Sequence, residues 1–546
     1  VVNCGSSDKP VFFPAEVVEI PAGQSVKAKL LTNETSTMLR HACKSPGANA
    51  RDLENFGRSA LGLDDNLLAK FGLSVDKNLL VVHARVLEAP AIRYRTQGGA
   101  PLRPRDGSWN MKDVKVAVGS KIQAWSFVQV ASRDGVQPLD YSNIDKFIRT
   151  SGYMGVDLSQ PTTLSGIADT VVVKFPSDRY KLEPIFKQAE KQGVGFLLFV
   201  FAPREASSEV YAHVKLLGDC TYGIHTSCMV ASKFVYNERA EQYFANVALK
   251  WNLKAGGVNH RLSQEIDIFR DGRTMVVGYD VTHPTNMPNS KADAAPSLVG
   301  LVSSVDKELG QWPSVTWEQS SKQEMLDNRL VAEFKSCIDK WSAGLPENIV
   351  IYRDGVSESQ FAQVLEKELP MIREACRQKY NKQHPPKITV VVSVKRHHTR
   401  FYPTSEDGET RSGNIKCGTV VDRDVTQARY WDFFLTAHNA LQGTARPAHY
   451  TVLLDEIFRA KYGPRAADEL EKMTHEMCYL FGRATKAISI CPPAYYADIV
   501  CERARAHRPD HFDESASETT SEVSGSSSKP KQVSIHQRLR NTMYYI

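Results

Sequence analysis

The chain has 546 residues, enough for several domains and more than one large core. Hydrophobic residues make up 42% and charged residues 24%, the balance of an ordinary soluble protein, and the longest apolar run, at 195–201, is far too short to cross a bilayer. A formal net charge of +6 permits a nucleic-acid partner without requiring one.

The first thirty residues hold a β-prone stretch at 17–20 and little else, too small a set to bury a core. No signal peptide is visible and the chain begins with Val1, so it is expected to be part of something longer. Residues 31–112 mix polar helical and extended pieces and close on the Pro/Gly/Arg-rich stretch 97–105, as a linker packed on other domains does. From 113 to 268 the pattern alternates: a helix over 183–192, an apolar strand over 195–201, a turn, then a helix carrying Tyr211 and Lys215. That order predicts a small parallel α/β domain. From 269 onward it repeats on a larger scale, with strands at 275–279, 298–302, 349–352 and 388–394. Between them Leu326, Leu330, Phe334, Cys337 and Trp341 recur at helical spacing. Residues 513–530 are polar and low in complexity, a disordered surface insertion.

Ten cysteines are scattered without a C-x-x-C pair, which speaks against a zinc ribbon or a disulfide scaffold. Cys337 and Cys478 lie in apolar periodic stretches and read as reduced core thiols, so a reducing compartment is expected, the cytoplasm or the nucleus.

Two segments carry the most chemistry: Met275-Val-Val-Gly-Tyr-Asp280 and Ile349-Val-Ile-Tyr-Arg-Asp354. Each is a β-prone run that ends on an aspartate and then breaks. A buried strand delivering a carboxylate at its tip is how an α/β fold builds an oxygen-rich metal site. Two such tips point to paired Mg²⁺ ions and phosphodiester chemistry. Asp498, near the start of a C-terminal helix pattern, and Glu324, just before the periodic helix, could add ligands. Most acids are instead caps, turn formers or solvated surface groups, and local pattern alone leaves Glu324 and Asp498 there.

Basic residues form the second constellation. Tyr211 and Lys215 are four apart, as are Lys250 and Lys254, so each pair shares a helix face. A tyrosine ring can stack a terminal base while ammonium groups neutralise a phosphate. The plain alternative is an amphipathic helix with snorkelling lysines. The run Lys395-Arg396-His397-His398-Thr-Arg400 could track a phosphate backbone, and Gln442-Gly-Thr-Ala-Arg446-Pro-Ala-His449 adds a similar patch.

Taken together, these segments resemble the MID and PIWI domains of eukaryotic Argonaute proteins, with divergent spacers of the kind found in a fungal quelling member. The ordered phrases include Val210-Tyr-Ala-His-Val-Lys215, Leu253-Lys-Ala-Gly-Gly-Val-Asn259, Asp280-Val-Thr-His-Pro284 and Tyr352-Arg-Asp-Gly-Val-Ser-Glu358. Lys395-Arg-His-His-Thr-Arg400, Pro493-Ala-Tyr-Tyr-Ala497 and the hydrophobic C-terminal Met543-Tyr-Tyr-Ile546 continue the set. The resemblance implies an α/β architecture: the tail of a PAZ domain over 1–30, linker L2 over 31–112, a Rossmann-like MID domain over 113–268 and an RNase H-like PIWI domain over 269–546.

It further implies an Mg²⁺-dependent endoribonuclease. Such an enzyme binds the 5′-phosphorylated end of a small guide RNA and cuts complementary target RNA, working with silencing-pathway proteins and with no membrane. The catalytic set falls on Asp280, Glu324, Asp354 and Asp498, the last standing where many relatives carry histidine. Two Mg²⁺ ions, replaceable by Mn²⁺, would sit on Asp280, Asp354 and Asp498. The guide 5′ pocket falls on Tyr211, Lys215, Thr226, Ser227, Lys250, Lys254 and Arg503, with the Ile546 carboxylate nearby. Where many relatives carry Gln-Cys, this chain has Thr226-Ser227-Cys228, which leaves that contact open. Arg396, Arg446, His449 and Arg483 are candidates for the guide backbone, and the loop at 203–208 for preference at the guide's first base. The alternatives are a non-cleaving guide-RNA-binding scaffold that silences through recruited partners, and a DNA-directed RNase H-like nuclease.

Overall fold

In the computed structural model, residues 1–546 are described except 6–8, 20–22, 24–31, 65, 96–99, 133–135, 137, 175–176, 202–207, 236–239, 285–294, 406–407 and 513–532. The insertion expected at 513–530 and most of the 203–208 loop therefore lie outside the described residues. The β-prone stretch at 17–20 is not a strand where it is described: Ala15–Val17 form a short 3₁₀ turn, and the N-terminal pairing joins Val2–Asn3 to Phe12–Phe13. The linker region contributes one short strand, β1 (Arg85–Val86), to the edge of the largest sheet.

The smaller unit is built on four strands, β2 (Trp125–Ala131), β3 (Thr170–Val172), β4 (Phe196–Phe201) and β5 (His225–Val230). They lie in the order β5-β4-β2-β3, and every pairing is parallel. A parallel sheet is covered on both faces, so its strands read as apolar runs without polar alternation. Trp125, Phe127, Leu198 and Val200 enter one core with helices α1 (Tyr141–Tyr153) and α4 (Ala240–Lys254). Their alternating neighbours Val128, Val130, Leu197 and Phe199 enter the other with α2 (Glu183–Lys191) and α3 (Ser208–Lys215). This is the small parallel α/β domain that the element order predicts, in the Rossmann-like form that the resemblance implies.

The larger unit is a nine-stranded mixed sheet. Its strands are β6 (Thr274–Thr282), β7 (Ser297–Ser303), β8 (Ser314–Gln319), β9 (Asn348–Asp354), β10 (Lys387–Val394), β11 (Thr419–Val421), β12 (Trp431–Thr436) and β13 (Ala448–Asp455). With the linker strand the order is β8-β7-β6-β9-β10-β13-β12-β11-β1. The pairs β6–β9 and β9–β10 are parallel, and all the others are antiparallel, the mixed arrangement of an RNase H-like fold.

Period-2 alternation again assigns faces. Met275, Val277, Tyr279, Ile349 and Ile351 pack with helices α5 (Arg329–Asp339) and α6 (Leu369–Arg377). Val276, Val350 and Tyr352 face helices α7 (Ala466–Met477) and α8 (Pro492–Ala506). Helix α8 lies directly on β6 and β7, and two glycines let it. A Cβ on Gly278 would stand 2.1 Å from the Pro493 carbonyl oxygen, and one on Gly300 would stand 2.6 Å from that of Ala497.

Candidate functional site

Asp280 and Asp354 occupy the C-terminal ends of the adjacent parallel strands β6 and β9. Both fall at even positions, on the face covered by α8, and neighbouring strands lie only about 4.8 Å apart. Helix α8 brings Asp498 to the same place. The three carboxylates feel one another. Burial, and then Asp354, raises the Asp280 carboxyl well above the usual carboxylate range. Burial, and then Asp498, lifts Asp354 to about 7. Asp498 is also raised, by burial, with Arg396 pulling the other way. Ser393 Oγ donates to Asp354 at 3.3 Å.

The odd positions turn to the opposite face and build the support. Arg353 is fully buried, lies 5.4 Å from the Tyr279 ring and is 3.5 Å from the buried Glu368 carboxylate. Glu368 also accepts from Tyr279 Oη at 2.9 Å and from the Leu326 amide at 3.0 Å. Arg353 donates to the Asp354 carbonyl and to the Glu324 carboxylate, both at 2.7 Å. Glu324 accepts a second bond from His283 Nε2 at 2.7 Å, while His283 Nδ1 lies 2.9 Å from Ser297 Oγ. Despite its burial, Glu324 is held below the usual range by His283 and Arg353. One guanidinium thus ties the loop carrying Glu324 to the strand end carrying Asp354. His283 and Arg353 lie beside the two strand-end aspartates in the sequence, but nothing in their spacing marks them as supports.

An anion-sized cavity of about 190 Å³ opens between the two units. Larger crevices occur elsewhere, one of about 770 Å³ beside Arg93 and Lys307, so size does not single this one out. Its charge does: Lys215, Lys250, Arg483 and Arg503 line it together with Tyr211, Thr226, Ser227 and Cys228. Lys215 sits 5.2 Å from the Tyr211 ring and donates to Thr226 Oγ1 at 2.7 Å, so the threonine hydroxyl already accepts from an ammonium. Burial, and then Arg483, pushes Lys250 down to about 8.

Lys254 does not line this cavity. It is buried behind it and donates to the Tyr544 carbonyl, tying the C-terminal segment in place. Burial, and then Arg503, holds its ammonium well below the usual lysine range. Arg503 donates to Asp219 at 2.8 Å and to the carbonyls of Tyr544 and Tyr545, each at 3.1 Å. His507 Nε2 lies 2.9 Å from the same Asp219 oxygen. No sequence pattern marks Asp219, which meets its partners only across the fold.

Arg483 belongs to this cavity, apart from the other candidate backbone contacts. Lys395, His397, Arg400 and Arg446 form a separate basic patch, in which burial, and then Arg446, lowers Lys395 to about 8. Arg396 acts on the Asp498 carboxyl and Asp354 on Lys395, so the patch abuts the acid cluster. His449 stacks on Phe434 at 4.1 Å and lies 2.6 Å from the buried Asp432 carboxylate.

The donor set of the acid cluster suits a hard divalent cation: oxygen ligands only, with no ion pair to any of the three aspartates among the described residues. Among the described residues no three His, Cys, Asp or Glu side chains close into a ready-made metal cage. Mg²⁺ needs no such cage, since it keeps several waters and takes one or two carboxylates directly. All ten cysteines are unpaired, and among the described residues no helix is long and apolar enough to cross a membrane.

Comparison with known proteins gives concordant matches. The Piwi domain family model matches residues 197–508, and the Argonaute linker 2 domain model matches 48–94. The chain is 31% identical to Protein argonaute 5 of Arabidopsis thaliana over 100% of its own length and 55% of that protein. It superposes on the crystal structure of Kluyveromyces polysporus Argonaute with a guide RNA at a TM-score of 0.76 and 26% identity, covering 98% of this chain and 64% of that one. Against the crystal structure of the N. crassa QDE-2 AGO MID-PIWI domains the identity is 33% and the TM-score 0.57, over 79% of this chain and 100% of that one. The chain spans about half the length of the curated relatives it matches.

Proposed function

The chain belongs to the eukaryotic Argonaute family, and from that premise we propose that it grips the 5′-phosphorylated end of a small guide RNA and cuts RNA paired to that guide. The observation that carries this reading is helix α8. Asp498 joins the acid cluster and Arg503 lines the cation cavity, five residues further along the same helix and about 7.5 Å along its axis. In this reading residues 1–30, 31–112, 113–268 and 269–546 are the PAZ tail, linker L2, MID and PIWI domains.

In the cavity, Lys215, Lys250, Arg483 and Arg503 neutralise the terminal phosphate, and Tyr211 offers a ring for the first base. Ser227 and Thr226 can donate hydroxyl protons to phosphate oxygens. Arg396, Arg446 and His449 hold the nucleic-acid backbone, so that sequence is read by pairing and not by protein contacts. Asp280, Asp354 and Asp498 would hold up to two Mg²⁺ or Mn²⁺ ions, which would supply water activation and neutralisation of charge on the scissile phosphate. Arg353 fixes Glu324 at the edge of the cluster and screens Asp280, while His283 holds the second Glu324 oxygen. We place the protein in the cytoplasm or nucleus, in a silencing pathway with protein partners.

The test loads the protein with a 5′-phosphorylated guide and supplies a fully paired RNA target with Mg²⁺. The expected result is one cut per target, abolished by Asp280→Ala, Asp354→Ala or Asp498→Ala. Equal cutting by parent and variants overturns the site assignment. Guide binding with no cutting by the parent moves the reading to a non-cleaving scaffold. Lys215→Ala combined with Lys250→Ala is expected to weaken 5′-phosphorylated guide far more than 5′-hydroxyl guide.

A further inference from the structure

Strand β8 ends the large sheet on the side away from β1, and β7 is its one neighbour. The bonding phase of an antiparallel pair decides which backbone groups such an edge leaves over. The Ser303 amide donates to the Pro313 carbonyl at 3.3 Å, and the Ser304 amide donates to that of Val276 at 2.9 Å. Odd residues of β7 therefore bond to β8 and even ones to β6, which turns the backbone of Val315, Trp317 and Gln319 inward. The amides and carbonyls of Thr316 and Glu318 point away from the sheet. Among the described residues no group bonds to them, and both residues are only half-buried. Exposed edges are usually blunted by a bulge or a covering segment, yet β8 runs along β7 without a break in register.

Residues 314–318 line a groove of about 530 Å³ together with one face of α5, which carries Arg329 and Glu333 and leads to Lys340. Arg508 and Arg540 complete its charges. Arg508 is satisfied by Glu318, to which it donates at 2.6 Å. Arg329, Lys340 and Arg540 have no ion-pair partner among the described residues. Burial raises the Glu333 carboxyl and all three cations pull it down, so one half-buried acid faces three positive charges. We propose that this groove docks an extended acidic segment of a partner protein, which adds to β8 as a further strand and sets its carboxylates against Arg329, Lys340 and Arg540. In strand addition the main-chain bonds supply affinity and alternate side chains supply specificity. Every second residue of a strand faces the same way, so acids at alternate positions all reach the cations. A nucleic acid answers the charge but has no row of amides and carbonyls to match Thr316 and Glu318. An acidic peptide answers both.

The probe is a fluorescein-labelled peptide of about eight residues alternating valine and glutamate, with Kd read by anisotropy on the 546-residue chain at fixed salt. One counterpart alternates valine with lysine. Two others carry N-methyl groups on either the valines or the glutamates, which keeps the charge and blocks strand pairing on one side. The glutamate peptide is expected to bind, and the lysine peptide and the copy methylated on the side facing β8 to bind about tenfold more weakly. Thr316→Pro removes an outward amide and no backbone bond of the sheet, as an edge position allows, and should weaken the glutamate peptide about tenfold. Thr316→Val loses only the hydroxyl bond to the Val299 carbonyl and should bind as the parent does. Arg329→Glu combined with Lys340→Glu should also weaken binding about tenfold. Melting curves check that the variants fold, and if Thr316→Pro does not, the N-methylated peptides decide. Loss in the charge-reversed variant alone, with Thr316→Pro and both N-methylated peptides unaffected, marks a general electrostatic surface such as RNA would use and overturns the proposal. Self-association of the parent that Thr316→Pro abolishes in sedimentation overturns it too, since the edge then takes a second copy. So does failure of the glutamate peptide to bind.

Discussion

Asp219 offers a sharp test of how the two units are joined. Its carboxylate is fully buried and accepts from Arg503 at 2.8 Å, with His507 Nε2 at 2.9 Å. Removing one partner of a buried ion pair costs about 3–5 kcal/mol, because the other charge is left uncompensated. Arg503 keeps two carbonyl acceptors, so Asp219→Ala is expected at the lower end, about 3 kcal/mol. For a unit of this size that is roughly 6–12 °C in Tm. Asp219→Asn keeps the shape and loses the charge, and should cost about half as much. Burial is opposed and outweighed by Arg503 and His507, so the folded pKa lies below the unfolded one. The stabilisation is then present above about pH 3.9 and lost as pH falls through the folded value, so parent and Asp219→Asn should converge in strong acid. The assay is thermal unfolding, with affinity for 5′-phosphorylated guide measured alongside, since Arg503 lines the cavity. Asp219→Ala together with Arg503→Ala should cost less than the two single changes added. A melting curve and guide affinity indistinguishable from the parent for Asp219→Ala would mean that the Asp219–Arg503 pair does not join the two units.

Three further outcomes are expected from other buried groups. Asp354→Asn removes a carboxyl whose folded pKa is raised to about 7, a group that destabilises the metal-free protein as pH rises from about 4 to 7. The variant should be more stable than the parent at pH 8 without divalent cation, by roughly 2–4 kcal/mol, and lack the gain in Tm expected of the parent on adding Mg²⁺. His475 is buried, with no hydrogen-bond partner for either ring nitrogen among the described residues, and burial lowers it to about 4. The unfolded chain therefore takes up the proton first, and the parent should lose up to about 3 kcal/mol relative to His475→Leu as pH drops from about 6.5 to about 4, a difference measurable by urea unfolding at each pH. Gly278→Ala forces its methyl against the Pro493 carbonyl and lifts α8 from β6. It should lower Tm and abolish target cutting together, and a variant that cuts at the parental rate speaks against α8 as the element that sets Asp498.

The sequence made some of this arrangement legible and hid the rest, for physical reasons that differ by residue. Asp280 and Asp354 could be read directly, because a buried parallel strand leaves a continuous apolar run whose end is visible in one dimension. Glu324 and Asp498 carry no such local mark; one lies in a loop and the other inside a helix, and only the family resemblance singled them out. Helical spacing put Lys250 and Lys254 on one face of α4, yet Lys254 ends behind the cavity because the C-terminal segment offers it the Tyr544 carbonyl. The resemblance groups Arg483 with Arg396, Arg446 and His449 as a candidate for the guide backbone, and the residue lines the cavity with Arg503. Strand β1, two residues of the linker, completes the edge of the large sheet, a pairing too short for any periodicity to reveal. Asp219 and His507 are 288 positions apart, and their contact exists only once both units have folded.

Helix α8 makes the two sites one mechanical object. Its apolar side is fixed on the sheet by Gly278 and Gly300, where the fold leaves no space even for a methyl group. Its polar positions therefore cannot shift independently: Asp498 faces the strand ends, Glu502 the mouth of the cavity and Arg503 its interior. Arg503 is held in turn by Asp219 of the smaller unit, so the junction between the units and the lining of the cavity share an ion pair. Under the proposed function, a rigid helix anchored at both levels fixes the span between the 5′ phosphate in the cavity and the aspartates, and the cut is then expected at a fixed number of nucleotides from the guide's end. Loosening the anchor at Asp219 should then blur the position of the cut before it abolishes cutting, whereas loss of a carboxylate should lower the rate and leave the position unchanged.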